Sequence, residues 1–201
     1  MLRKSMMLIF LFMIFISNCS ANSSQGRLLN IGVEMFKKQI IANSNFKVGR
    51  YLSPEFYLYH KDIVDLQIEL YGNVYVHPFM INSIILIDPM TNADGYIECI
   101  EIIGRGGRTD QFMLNQTAVK IAQIIGLSVE EMKILFLQGQ EFRELYEGQV
   151  SCAFYLGQVY SAQLGKNIYL ERMANKKGAF YIIDYKKPEE RSSTLGKMFK
   201  L

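Results

Sequence analysis

Residues 6–16 are eleven consecutive apolar side chains, and they follow Arg3 and Lys4. This run constrains the chain more than any other feature, because it does not share the make-up of the rest and reads as separate from the folded unit. A positive start, an apolar core of about 7–15 residues and a small polar exit make a secretory signal peptide. The exit here runs Ser17, Asn18, Cys19, Ser20, Ala21, Asn22, Ser23, Ser24. The run is too short to cross a hydrocarbon core of ~30 Å as a helix, which takes about 20 residues. The chain therefore divides into a signal peptide (1–18), a tether (19–27), a single domain (28–187) and a flexible tail (188–201).

Ile16-Ser17-Asn18-Cys19 resembles a relaxed form of the lipobox of bacterial lipoproteins. In that family the cysteine is lipidated and the peptide is cut just before it. The resemblance implies a lipid on Cys19, with acyl chains such as palmitate, and a place in the cell envelope. Ser20 resembles the residue that lets lipoproteins move on to an outer membrane, facing the periplasm or the surface. Several acyl chains hold firmly where one alone is marginal. The resemblance covers about 19 residues and carries no information on the domain.

Removal of residues 1–18 leaves 183 residues and takes away Arg3 and Lys4, so the net charge falls from +3 to +1. A charge that small gives no support to a nucleic-acid binder. Half the residues are apolar, which suits one globular domain and excludes wholesale disorder. Two cysteines remain besides Cys19, namely Cys99 and Cys152. In an oxidising compartment such a pair is a candidate disulfide, and two buried thiols are the alternative.

Hydrophobic periodicity predicts an α+β fold. Leu28, Leu29, Ile31, Met35, Phe36, Ile40 and Ile41 have the spacing of an N-terminal amphipathic helix over 28–43. Residues 46–114 read as an antiparallel meander sheet of four to five strands, with β-branched runs at 82–88 and 96–103. Residues 115–164 read as a three-helix segment. In it Gly126 stops the first helix, Ser128 and Glu131 form a capping box, the second helix runs to about Tyr146, and the third spans 152–164. Residues 168–173 and 179–185 flank a turn and read as a C-terminal β-hairpin.

Three motifs invite a functional reading. Ala122, Gly126, Leu127, Ser128, Met132 and Leu135 resemble a DNA-binding helix-turn-helix. The second helix opens with Glu130 and Glu131, which phosphates repel, so an ordinary helical hairpin is the better account. Asn92, Asp94, Gly95, Ile97 and Glu101 resemble an EF-hand calcium loop, yet Met90 stands at its first position and the flanks read as strands. A hairpin tip at Asp94-Gly95 explains the same residues, and no metal site or cofactor is expected. Cys152, at the predicted start of a helix, resembles in its local setting the nucleophile of papain-like hydrolases. A base is then needed, and His60 and His77 are the two histidines, with His77 the conceivable partner. Arg105-Gly106-Gly107-Arg108 reads as a solvated loop, and the crowd of Tyr51, Tyr57, Tyr59, Tyr71 and Tyr75 as ordinary strand composition.

The leading expectation is a membrane-anchored envelope lipoprotein, a non-enzymatic binding or assembly component of a secretion or envelope complex. Its partners are the membrane, through the lipid, and other envelope proteins, with no nucleic acid. The alternative is a papain-like peptidase or amidase acting on envelope material through Cys152 with His77.

Overall fold

A computed structural model of the chain describes residues 27–51, 77–104, 111–146, 149–175 and 178–187. Two antiparallel meanders share one sheet. The first is β1 (Val48–Tyr51), β2 (Phe79–Ile81), β3 (Ile85–Thr91) and β4 (Ile97–Gly104). The second is β5 (Gln140–Tyr146), β6 (Gln149–Ser161), β7 (Lys166–Asn175) and β8 (Gly178–Asp184). They join through β4 and β8, giving the order β1-β2-β3-β4-β8-β7-β6-β5. Helices α2 (Gln111–Ile124) and α3 (Val129–Leu137) carry the chain from the centre of the sheet to its far edge. Helix α1 (Val33–Asn43) precedes the sheet.

The core is the helices against one sheet face. Strand side chains alternate between faces, and the core takes Ile85 and Ile87 of β3, Ile100 and Ile102 of β4, Tyr181 and Ile183 of β8, and Ile168 and Leu170 of β7. The register sets Ile87 opposite Ile102, Ile102 opposite Tyr181, and Ile183 opposite Leu170, so these residues lie in rows. Leu114, Ala118 and Ile121 of α2 close over the rows, as do Phe36 and Ile40 of α1 and Leu135 of α3. The other face is buried at its centre as well, with Asp88 opposite Glu101 and both more than nine-tenths buried.

Several expectations stand in the structure. The helix expected over 28–43 forms over Val33–Asn43 only, the runs read at 82–88 and 96–103 give strands over 85–91 and 97–104, and the β7–β8 hairpin forms. Gly126, at φ +105°, ends α2 with a Schellman pair, Leu127 N–H to the Ala122 carbonyl and Gly126 N–H to the Gln123 carbonyl. Ser128 and Glu131 make the capping box of α3. A second Glu131 oxygen accepts from the Ala162 amide at 2.9 Å, tying the start of α3 to the β6–β7 turn. These bonds hold the Glu131 carboxyl below its usual range.

The fold class itself is corrected. The described residues hold an eight-stranded antiparallel sheet and three short helices, not an α+β fold with four to five strands and a three-helix segment. Helix α3 stops at Leu137, and residues read as helix over 140–146 and 152–161 are strands β5 and β6. The physical reason lies in β6. Tyr155, Gly157, Val159 and Ser161 are buried while Gln158 and Tyr160 between them are exposed, a period of two. The Tyr155 hydroxyl donates to the Leu135 carbonyl at 3.0 Å and accepts from the Gly139 amide at 2.8 Å. It thereby satisfies backbone groups at the end of α3 that would otherwise be orphaned.

Candidate functional site

A cleft of about 810 Å³ opens where α1, the end of β1, the start of β2 and the β3–β4 turn meet. Glu34 and Lys38 come from α1, Tyr51 ends β1, His77 precedes β2, and Thr91 and Asn92 follow along β3 into the turn. The turn is pinned by Asn92, whose side-chain oxygen accepts from the amides of Asp94 and Tyr96, while Gly95 sits at φ +79°. That is the hairpin tip expected from Asp94-Gly95.

Local bonds fix each polar group. The His77 amide donates to Asp88 Oδ1 at 2.8 Å, and His77 Nε2 lies 3.1 Å from Thr91 Oγ1. The Tyr51 ring stands edge-on to Phe79 at 5.9 Å, with the Lys37 ammonium 3.9 Å from its centroid. Burial, then the Glu34 carboxylate bonded to its hydroxyl, pushes the Tyr51 phenol up to about 12. Burial lowers the Lys37 ammonium against the pull of Glu34. Burial also lowers His77, again opposed by Glu34.

At neutral pH the cleft thus presents an un-ionised phenol and a neutral imidazole beside the Glu34 and Lys38 side chains. This set gives and takes hydrogen bonds. Thr91 is 2% exposed and engaged by His77, so its hydroxyl has no access to a substrate.

The lowered His77 has a measurable consequence. An unfolded chain takes up a proton near pH 6.5, while the folded domain resists until lower pH. Between those values the unfolded state binds more protons, so stability falls as pH drops through the window and levels off beneath it. Urea midpoints taken at about pH 7.5 and about pH 5.5 should differ less in His77→Gln than in the native chain. Equal differences in the two proteins would contradict the burial of the imidazole.

The structure does not bring the other candidate residues together. Cys152 lies within β6, so it does not open a helix and gains no help from a helix N-terminus. His77 adjoins β2, five places from β6 in the sheet order, or about 24 Å at the usual strand spacing. Cys99 lies buried on β4, and its row crosses Asp184 and Tyr169 to Gln158, whereas Cys152 sits opposite Asn175. The two cysteines are therefore three strands apart, about 14 Å, and six residues apart along β6, about 20 Å. A disulfide needs Cα atoms within about 7 Å.

Met90 and Glu101 of the calcium-loop resemblance lie in β3 and β4. Among the described residues no group of three or more His, Cys, Asp or Glu could hold a metal, and no helix is long and apolar enough to cross a membrane. Cys19, His60, Tyr57, Tyr59, Tyr71, Tyr75 and Arg105 to Arg108 lie outside the described residues. Of the cleft residues, the sequence reading singled out His77, as a base, Tyr51, as strand composition, Met35, in the helical spacing, and Asn92 and Gly95, in the calcium-loop resemblance. Glu34, Lys38 and Thr91 sit on ordinary amphipathic or β-branched patterns and carry no signal of their own.

The chain is a strand-rich protein with helices packed on one sheet face and a mostly apolar cleft, dotted with polar groups, beside one sheet edge. Comparison with protein families, characterised proteins and solved structures finds no match to it.

Proposed function

We propose that the chain is a lipid-anchored envelope protein whose domain binds another envelope protein through the cleft and acts as an assembly or binding component, without catalysis. The observation that carries the binding role is the make-up of the cleft rim. Met35 is 52% exposed and Tyr51 is 37% exposed, beside Lys38 and the neutral His77. Apolar and aromatic side chains of this kind, interleaved with a few polar groups, are enriched where proteins meet. The anchoring role is supported by Arg3, Lys4, the apolar run and Cys19.

Intact mass of the protein extracted from membranes is the first test. The expected mass is that of residues 19–201 with acyl chains attached. A full-length chain without lipid would end the anchoring role. A photo-cross-linker placed at position 35 should then give discrete adducts in cells, and one at the exposed Phe112 on α2 should not. Adducts equally abundant at both positions would end the role of the cleft.

A further inference from the structure

We propose that Arg27, Tyr96, Lys166, Tyr185 and Lys186 form a docking face for an anionic lipid bilayer, at the end of the domain where the tether joins it. The proposal deepens the anchored reading above and rests on it for orientation.

The five side chains form one connected patch. The Arg27 guanidinium lies 4.0 Å from the centroid of the Tyr96 ring. The Lys166 ammonium donates to the Arg27 carbonyl at 2.5 Å and lies 5.7 Å from the Tyr185 ring. Lys186 lies 5.3 Å from that ring and pairs with Glu98 at 3.3 Å. The exposed Lys187 follows. Against these four cations stand Glu98, paired with Lys186, the buried Asp184, which accepts from the Lys186 amide at 2.9 Å, and the exposed Asp94 of the adjacent turn. The patch is thus basic although residues 19–201 carry only +1 overall, so attraction to an anionic surface is local to this face.

Two further observations select a bilayer as the occupant. The tyrosine rings lie against the cations, and tyrosine suits headgroup depth because its ring is apolar and its hydroxyl is polar. The tether also ends inside the patch. Seven residues lie between Cys19 and Arg27, and the eight steps of chain reach at most about 29 Å when fully extended. The Leu28 and Leu29 amides both donate to the Ile97 carbonyl, which fixes the entry of the chain at β4 beside Tyr96. A lipid on Cys19 would therefore bring this end of the domain closest to the headgroups. Electrostatic attraction at physiological salt decays within about 8 Å, so docking requires this face itself to come within that distance of the headgroups. Burial and the nearby Arg27 charge lower the Lys166 ammonium, a strain that anionic headgroups would relieve.

The test uses the protein as isolated from membranes, reconstituted in vesicles of phosphatidylcholine with or without phosphatidylglycerol. Amine labelling is read lysine by lysine by mass spectrometry. Lys166, Lys186 and Lys187 should be protected on the anionic vesicles and not on the neutral ones, with protection lost at high salt. Lys133 on α3 should label equally on both. Each cation near an anionic surface is worth about fivefold in the docked population. The double variant Lys166→Gln/Lys186→Gln should then lower the docked-to-undocked ratio, read at Lys187, about 25-fold. Lys166→Arg keeps the charge and should retain docking. Equal labelling on the two vesicles, or protection that survives high salt, overturns the proposal. Failure of the anchor shows in the intact mass instead. An unlipidated chain with protected lysines keeps the face and loses the anchor, and a lipidated chain without protection does the reverse.

Discussion

Gly157→Ala should destabilise the domain by about 3 kcal/mol, at the upper end of what overpacking costs. The backbone of β6 passes directly under the last turn of α3. A Cβ on Gly157 would fall inside the carbonyl oxygen of Leu135 and 2.9 Å from its carbon, with the Tyr155 ring 3.2 Å away on the other side. Neither neighbour is the free end of a flexible chain. The Leu135 carbonyl is held by the Tyr155 hydroxyl, which also caps the Gly139 amide, so moving the carbonyl strains a bonded set. For a domain of this size 1 kcal/mol corresponds to about 2–4 °C, and the melting temperature should fall by roughly 10 °C.

Gly165→Ala is the control. Gly165 has φ +66° and open space around the added carbon, so only the left-handed backbone cost of about 1–2 kcal/mol applies. Thermal melts of the two variants decide the matter. If Gly157→Ala melts no lower than Gly165→Ala, α3 does not pack on β6 as described.

The same contact explains why the first two strands of the second meander, β5 and β6, were not legible in the sequence. Turn chemistry is local, so the Asn92 to Gly95 tip, the Gly126 stop and the Ser128–Glu131 box could be read from neighbouring residues alone. Strand β6 differs. Val150, Cys152, Phe154 and Leu156 alternate with Ala153, Tyr155 and Gly157 in a run with few polar residues, which fits a buried helix as well as a strand. What decides between them is Gly157 under Leu135 and Tyr155 bonded to it, contacts made across about twenty residues of chain. Tertiary packing overrides a weak local preference here.

The cleft was hidden for the same reason. His77 meets Thr91 only because β2 and β3 pair, and Glu34 reaches Tyr51 only because α1 lies beside β1. No spacing in the sequence announces either meeting. Cys152 shows the opposite failure. Its value as a nucleophile depended on a helix start, and that vanished when the segment proved to be a strand.

Phe36→Ala should cost about 3–5 kcal/mol, the usual range for deleting a fully buried aromatic ring. Phe36 has no exposure, and with Ile40 one turn later it anchors α1 in the core. The expected result has a second part, because α1 is also a wall of the cleft. Glu34 and Lys38 project from the same helix on either side of Phe36 in sequence. With α1 loosened, His77 loses both the burial that lowers it and the Glu34 charge that raises it. Burial is the larger of the two, so the imidazole should move up toward its ordinary value, as NMR titration of the histidine would show. Met35→Ala removes a side chain of similar size that is half exposed, and should leave stability within about 0.5 kcal/mol and the His77 titration in place. A large loss of stability in Phe36→Ala with His77 still lowered would mean that the helix supports the core but does not shape the cleft, and the binding site would then have to be sought on the sheet edge alone.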